Sequence, residues 1–467
     1  MTQARRDDLG AALAGAVGER HVTAGERAEA KFRADVLGKY RGDPAWVVRP
    51  ASTGEVAAVI RIAGARGAPV TVVGGQTGTV GGAIARAGSI ALSLDRMNRV
   101  LAIDTVGMTM TVEAGCILQA AQEAAEARGA FLPLDLGSRG SATIGGAVAA
   151  NAGGNRVLRW GMMRDMVTGL EAVLADGTVV TALTPMIKDN AGYAWKHLMI
   201  GSEGTLGIVT RAVLRLRPRP TTDQTALVAL ADFDAVAALL RALEVRLGGR
   251  LSSFELMWRD FYAAMTGAQL AARPRPMAEG HAFYALIEML GGDPDNDPAQ
   301  FEAALAAAIA DGIVADAVIA KSGREREALW AVREDMVPGL AAYKPFLVYD
   351  VSMALGDMPG FAADVRARIA AAFPQARMLF YGHAGDGNLH IIVNIGEDGP
   401  MYEDEIDRLV YEATGRVGGS IAAEHGIGRA RAGHLGRTRS AAEIALMRRI
   451  KQALDPDGIL NPGKVLP

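Results

Sequence analysis

The most informative stretch of the chain reads PLDLGSRGSATIGGAVAANAGG and occupies residues 133–154. It places small residues, mostly glycine, in four separate turns within 22 positions. Each glycine adds backbone entropy that folding must remove, so this density needs a physical reason. Close approach of a large ligand to several backbone segments provides one. We therefore predict that this stretch lies against a large planar ligand.

A second glycine-rich loop, GGQTG at 74–78, follows a strand predicted for 69–73. The pattern from 45 to 78 indicates a βαβ unit, and open α/β sheets bind ligands at the carboxyl ends of their strands. The loop's N–H groups suit phosphate oxygens, although a lone glycine-rich turn is more often structural. Because G-x-G-x-x-G and Gly-Lys-Ser/Thr spacings are absent, the loop is neither a Rossmann fingerprint nor a P-loop.

Composition narrows the functional class. The chain has 467 residues and a net charge of -3, so it carries no basic field for nucleic acid or a polybasic membrane patch. A single cysteine, Cys116, excludes an intrachain disulfide and favours a reducing compartment. We find neither a signal-peptide pattern nor a long apolar run. We expect a cytoplasmic protein, with peripheral membrane contact left open.

The length and one proline-rich segment predict the domain division. Residues 217–220 read RPRP, which suits a linker because proline is excluded from central strands. We expect a first domain over 1–218, with subdomains at about 45–105 and 106–218. A second domain would cover 219–420, and a C-terminal segment over 421–467 would pack back toward the first domain.

Three of the seven histidines fall in a suggestive arrangement. His383 and His390 flank a turn in YGHAGDGNLH, and Glu424 and His425 follow in AAEHGIG. Two imidazoles and one carboxylate leave open positions on a divalent metal, as in catalytic zinc sites. By spacing alone, histidines held in a turn by ordinary hydrogen bonds are the commoner outcome, so both interpretations stay open at this point.

Together these segments resemble the FAD-linked oxidases with the vanillyl-alcohol oxidase fold. Within that family they are similar to the D-lactate, glycolate and D-2-hydroxyglutarate dehydrogenases. The resemblance covers nearly the whole chain and rests on GDPAWVVRPASTGEV at 42–56, PVTVVGGQTG at 69–78, PLDLGSRGSATIGG at 133–146, NAGG at 151–154, KDNAGY at 188–193, GSEGTLGIVT at 201–210 and LNPGKVLP at 460–467.

The resemblance implies an α+β fold: a two-subdomain FAD-binding domain, an α+β (ferredoxin-like) substrate cap and a C-terminal helical segment. The FAD would be non-covalent, because Gln76 occupies the first loop and 133–154 contains no His or Cys. The residues implied to bind FAD are Gly74, Gly75, Gln76, Thr77, Gly78, Pro133, Asp135, Gly140, Ser141, Thr143, Ile144, Gly145, Gly146, Asn151, Gly153, Gly154, Glu203, Gly204, Gly207, Ile208 and Asn461.

The resemblance also implies the chemistry of a D-2-hydroxy acid oxidation. His383, His390 and Glu424 would bind a divalent metal, zinc in the first instance, with manganese or iron as alternatives. His425 would act as the base while hydride passes to flavin N5. Arg333, in ALWAVRED, would bind the substrate carboxylate.

Three positions depart from the 2-hydroxyglutarate enzymes, which hold a distal carboxylate with polar side chains. In this chain Val337, Val348 and Ile392 stand at those places, so we expect a D-lactate-like or apolar substrate. The alternatives are a D-2-hydroxyglutarate dehydrogenase, an alcohol or phenol oxidase, and a non-catalytic glycolate oxidase-like subunit. The electron acceptor would be a quinone, a cytochrome or an electron-transfer flavoprotein, and the chain could form a homodimer.

Overall fold

The computed structural model describes residues 2–267 and 275–467, which form two compact units. The first unit comprises Met1–Gly154, Gly161–Arg219 and Glu424–Pro467. The second comprises Asn155–Trp160 and Pro220–Ala423. The short segment 155–160 thus belongs with the later residues, a feature that no linker composition signals.

The smaller sheet of the first unit contains the predicted βαβ unit. Its strand order is β1-β2-β4-β3, with β4 parallel to both β2 and β3. The strands are β1 (Val22–Ala24), β2 (Trp46–Val48), β3 (Val70–Val73) and β4 (Ile90–Ser93), and the helices are α1 (Gln3–Val17) and α2 (Thr53–Ala65). Ser52 caps α2 by accepting from the Glu55 N–H, as its sequence spacing predicts. The 74–78 loop therefore leaves the carboxyl end of β3.

The larger sheet of the first unit is antiparallel, in the order β5-β6-β10-β8-β9. Its strands are β5 (Val100–Asp104), β6 (Thr109–Glu113), β8 (Val167–Val173), β9 (Val179–Ala182) and β10 (Ile208–Arg215). β5 and β6 form an antiparallel hairpin across residues 105–107. Around the sheet lie α3 (Leu118–Glu126), α4 (Ile144–Ala150), α6 (Met163–Met166) and α7 (Lys196–Met199), and the C-terminal segment of this unit contains α15 (Ala441–Leu454).

One prediction needs correction. The RPRP segment is not simply a linker, because Arg217–Pro218 forms β11, which pairs antiparallel with β7 (Ala130–Phe131). A proline is tolerated there because the pairing involves only these two short strands, so no ladder hydrogen bond on a second side is lost.

The second unit is built on a seven-stranded sheet in the order β15-β12-β14-β13-β17-β18-β16. The strands are β12 (Thr222–Leu230), β13 (Leu251–Trp258), β14 (Phe283–Gly291), β15 (Asp316–Ile319), β16 (Leu347–Ser352), β17 (Arg377–His383) and β18 (Asn388–Asn394). The helices are α5 (Val157–Trp160), α8 (Phe233–Arg246), α9 (Arg259–Met265), α10 (Asp297–Ala310), α11 (Gly323–Glu334), α12 (Met336–Gly339), α13 (Met358–Ala372) and α14 (Glu403–Arg416).

Half of this sheet confirms the ferredoxin-like expectation. The run β12-α8-β13-β14-α10-β15 pairs in the order β15-β12-β14-β13, the arrangement of a split βαβ fold. The antiparallel pairing of β13 with β17 joins it to the other three strands. One face of the sheet is buried against α9, α11 and α12 in a cluster that includes Phe261, Leu329 and Ile392.

Among the described residues, no helix has the length and apolar character needed to cross a membrane.

Candidate active site

In the first unit, the two glycine-rich loops pack directly on each other. A Cβ at Gly75 would lie 2.0 Å from the Ser141 carbonyl oxygen, and one at Gly74 would lie 2.7 Å from Thr143 Oγ1. Likewise, a Cβ at Gly154 would lie 1.9 Å from the Asp135 oxygen. Gly75 and Gly154 are therefore required by contact with another backbone segment, and Gly74 by contact with the Thr143 side chain, a reason that our ligand-based interpretation of the glycine density did not include.

Other glycines and two buried polar atoms leave room for a ligand. A Cβ at Gly78 would meet nothing within 4 Å, and one at Gly146 would meet only Thr143 Oγ1 at 3.1 Å. Gln76 Nε2 and Asn461 Oδ1 are buried without a hydrogen-bond partner among the described residues. Because buried polar atoms are normally paired, an open backbone beside unpaired donors and acceptors fits a large polar cofactor such as FAD.

Glu203 holds the C-terminal segment to the loops of the first unit. Its two carboxylate oxygens accept from the N–H groups of Ile427 and Gly428, at 2.7 and 2.8 Å. Asn461 Nδ2 donates to the Glu203 carbonyl oxygen at 2.7 Å. Burial raises the pKa of Glu203, against the two N–H donors that lower it. Glu203 therefore ties the C-terminal segment to this unit, and the contact with FAD that the resemblance implies stays a prediction.

The other residues expected to bind FAD also lie in the first unit, on the same loops and their flanks. Asn151 ends α4 with a positive φ of 50°, and its Oδ1 accepts from the Arg164 N–H at 2.9 Å. Gly204 also has a positive φ. The remainder are Thr77, Pro133, Asp135, Gly140, Ser141, Ile144, Gly145, Gly153, Gly207 and Ile208.

The loop packing yields a paired test. Gly75→Ala is expected to lower the free energy of unfolding by at least about 3 kcal/mol, the upper range of overpacking costs, because its methyl group would overlap the Ser141 carbonyl. Gly78→Ala, in the same loop, should leave apoprotein stability within about 0.5 kcal/mol. Denaturant unfolding of FAD-free protein measures both. Equal destabilisation by the two substitutions would contradict the packing argument.

In the second unit, His383 and His390 lie side by side. His383 ends β17 and His390 lies on β18, with ring centroids 5.3 Å apart. His383 Nδ1 lies 2.7 Å from Glu255 Oε1. The other Glu255 oxygen lies 2.9 Å from Arg333 Nη2. A buried Arg–Glu–His chain therefore supports the first histidine.

A second carboxylate faces the other histidine. Asp350 pairs with His390 in strand register, and its Oδ1 lies 3.7 Å from His390 Nδ1. Asn388 Nδ2 donates to the same oxygen at 2.8 Å. His383 Nδ1 thus lies within hydrogen-bond distance of a buried carboxylate, the arrangement of carboxylate–histidine–metal triads, whereas Asp350 lies farther from His390 Nδ1.

Glu255, Asp350 and Asn388 were not predicted from the sequence. A signal was present, because Glu255 and Asp350 are single carboxylates within the apolar strand sequences FELMW and LVYDVS. Carboxylates are almost never fully buried unless paired, so an acid inside such a strand predicts a buried partner. It does not identify that partner.

Glu424 and His425 belong to the first unit. The residue before Glu424 in the chain, Ala423, is the last residue of the second unit. Glu424 Oε2 accepts from the Gly154 N–H at 2.9 Å. His425 Nε2 lies 3.9 Å from Glu424 Oε1, and about a third of its side chain is exposed. In the second unit, the Ala423 N–H donates to the Asp350 carbonyl oxygen at 3.4 Å.

The residues predicted to bind substrate are placed differently from one another. Arg333 is only 5% exposed, with its guanidinium 4.6 Å from the Tyr381 ring centroid. Val348 pairs with Ile392 across β16 and β18, two residues from the Asp350–His390 pair and on the same face of the sheet. Val337 is 76% exposed, because α11 ends at Glu334 and the backbone turns before α12.

Comparisons with known proteins agree with this architecture. Residues 44–183 match the "FAD binding domain" family model, and 219–465 match "FAD linked oxidases, C-terminal domain". A D-2-hydroxyglutarate dehydrogenase of Xanthomonas citri pv. viticola is 40% identical, covering 91% of this chain and 90% of that protein. The mitochondrial enzyme of the same name from Bos taurus is 39% identical, covering 99% and 84%.

Solved structures show the same fold at low sequence identity. p-Cresol methylhydroxylase is similar with a TM-score of 0.77 at 15% identity, covering 100% of this chain and 97% of that one. The 4-ethylphenol oxidase of Gulosibacter chungangensis gives 0.73 at 20% identity, covering 100% and 98%. The chain is therefore an FAD-dependent oxidoreductase with the vanillyl-alcohol oxidase type fold. Within this class it belongs to the D-2-hydroxyglutarate dehydrogenase family of FAD-linked oxidases, which confirms the resemblance found in the sequence.

Proposed function

We propose that the protein oxidises a D-2-hydroxy acid to the 2-oxo acid with the help of a divalent metal. The observation that carries this proposal is the histidine pair in the second unit. The two ring centroids lie 5.3 Å apart, and His383 Nδ1 lies 2.7 Å from the buried Glu255 carboxylate, which would leave Nε2 of that ring to a metal. Alcohol oxidation by flavin alone does not need this arrangement.

The FAD would be held non-covalently by the loops at 74–78 and 133–154. Gln76 Nε2 and Asn461 Oδ1 would supply a donor and an acceptor, since both lack a protein partner among the described residues. The backbone at Gly78 and Gly146 would allow close approach. When bound, FAD supplies the hydride acceptor at flavin N5, which no protein side chain provides.

The metal ligands would be His383, His390 and Glu424. Glu424 is the residue after Ala423, whose N–H donates to the Asp350 carbonyl oxygen, and Asp350 Oδ1 lies 3.7 Å from His390 Nδ1. Two imidazoles and one carboxylate suit zinc first, with manganese or iron as alternatives. When bound, the metal supplies a Lewis acid that favours loss of the substrate hydroxyl proton.

His425 would take the hydroxyl proton. An imidazole is suited to this role because its ordinary pKa lies close to neutrality. Its side chain is partly exposed, so a proton accepted there can pass to solvent. Arg333 would bind the substrate carboxylate, since its Nε is buried and lacks a hydrogen-bond partner among the described residues.

The substrate side chain would be uncharged. Val348 and Ile392 form an apolar cross-strand pair on the same sheet face as His390, and an unpaired carboxylate against them would be costly. Val337 adds no support to this argument, because its side chain is exposed. D-2-hydroxyglutarate is the second candidate substrate, because relatives of 39–40% identity carry its name.

Anaerobic bleaching of the flavin distinguishes the candidates. D-lactate and a longer aliphatic D-2-hydroxy acid are expected to bleach the visible absorbance, and chelator should prevent it. L-lactate serves as the matched control and should not react. If only D-2-hydroxyglutarate bleaches the flavin, the proposed metal-assisted oxidation would stand. The proposal that the substrate side chain is uncharged would then be wrong. If no hydroxy acid bleaches bound FAD, the alcohol oxidase and non-catalytic subunit interpretations would replace this proposal.

The electrons would leave to a quinone, a cytochrome or an electron-transfer flavoprotein. A Saccharomyces cerevisiae relative, 34% identical over 94% of this chain and 89% of its own length, is named a D-2-hydroxyglutarate–pyruvate transhydrogenase. A 2-oxo acid therefore belongs among the acceptors offered to the reduced protein. We further propose a cytoplasmic location and a homodimer, which cell fractionation and sedimentation would test.

A further inference from the structure

We infer that Glu255 is a positioning residue that fixes both the metal-binding histidine and the substrate-binding arginine. This inference rests on the proposed function. Glu255 lies on β13, directly opposite His383 on β17, and its side chain is fully buried. One carboxylate thereby links two groups of the proposed reaction that lie 50 residues apart in sequence, Arg333 and His383.

The geometry of Glu255 differs from that of an ordinary buried ion pair. An arginine and a carboxylate usually pair through two parallel hydrogen bonds. Here the two oxygens are divided, with Oε1 2.7 Å from His383 Nδ1 and Oε2 2.9 Å from Arg333 Nη2. A carboxylate accepting at Nδ1 keeps the proton on that nitrogen, so the Nε2 lone pair is available to a metal.

The same carboxylate sets the plane of Arg333. The guanidinium lies 4.6 Å from the Tyr381 ring centroid, and its Nη2 forms an ion pair with Glu255 Oε2 at 2.9 Å. These two contacts restrict rotation about the end of the side chain and leave the Nε edge without a partner among the described residues. Glu255 therefore orients the edge that we assign to the substrate carboxylate.

Glu288, on the adjacent strand β14, provides a matched control. It is also almost fully buried and also pairs with an arginine, with Arg156 Nε 3.1 Å and Nη2 3.4 Å from its two oxygens. Ser252 Oγ donates to it at 2.7 Å. This is the two-point pairing that Glu255 lacks.

The test compares Glu255→Gln with Glu288→Gln in the FAD-bound protein. Zinc affinity is measured by competition with a chromogenic chelator, and KM and kcat are measured at saturating zinc. Glu255→Gln is expected to weaken zinc binding by about 10–100-fold, the range found for partners of metal-bound histidines. It should also raise KM for the hydroxy acid about tenfold or more. Glu288→Gln should leave both quantities within twofold of the unsubstituted protein.

Each result bears on a separate claim. Zinc affinity and KM unchanged in Glu255→Gln, or altered equally in both variants, would overturn the positioning role and leave the proposed function intact. An unsubstituted protein that binds no zinc would overturn both. If Glu255→Gln does not fold, Glu255→Asp keeps the charge but is too short to reach both partners. Full zinc affinity and unchanged KM in folded Glu255→Asp would then reject the inference.

Discussion

His425→Asn is expected to lower kcat for a D-2-hydroxy acid by about 10²–10⁴-fold, the usual contribution of a general base. The amide of asparagine has nearly the size and hydrogen-bonding shape of the imidazole, but it cannot accept the hydroxyl proton. Binding of FAD, zinc and substrate should therefore remain within a few fold. Anaerobic stopped-flow measurement of flavin reduction gives the rate directly, since it observes the oxidation step before any acceptor is involved.

The matched control for this prediction is His21→Asn, in the same unit. His21 lies in a short turn before β1, where its ring accepts from Arg20 Nε, and we assign it no part in the reaction. Flavin reduction in His21→Asn should match that of the unsubstituted protein. A His425→Asn protein with full FAD content that still reduces its flavin at the normal rate would remove His425 from the mechanism.

The second large effect concerns His390. His390→Gln is expected to weaken zinc binding by at least about 100-fold, because loss of a ligand should exceed the ~10–100-fold cost of losing a partner of a ligand. Flavin reduction by D-2-hydroxy acids should fall with zinc content. Elemental analysis of the purified protein, together with the rate of flavin reduction before and after chelation, measures both effects.

His281→Gln is the control for the His390 substitution. His281 also belongs to the second unit. Its ring packs against Tyr284 in a T-shaped arrangement, with ring centroids 5.9 Å apart. Its zinc content and activity should be unchanged. If His390→Gln keeps one zinc per chain, the two histidines are not ligands, and the buried carboxylates beside them would have to be explained as core ion pairs alone.

Local features of the chain were sufficient for most of the fold. The βαβ unit at 45–78 and the hairpin at 100–113 follow from alternation, capping and turn residues that act over a few positions. The FAD-binding family followed from motifs spread over nearly the whole chain. Each of these signals involves residues that are close together in the chain, so it can be recognised from the sequence alone.

Features that depend on long-range pairing were not accessible in this way. Glu255 and His383 are separated by 128 positions, and only the pairing of β13 with β17 brings them together. The same is true of Gly75 and Ser141, whose contact explains a glycine that we had assigned to ligand binding. The place of Val337 in the site stays a prediction, since α11 ends at Glu334, before the helical turn counted from Arg333 is complete.

The residue types of this protein thus specify its chemistry, because histidine, glutamate and glycine in these motifs carry the ligand atoms and the open backbone. Their order along the chain does not specify which carboxylate supports which histidine. That choice is made by strand register, which sets side chains distant in sequence opposite one another and buries them together, so that each charge must find its partner inside the fold.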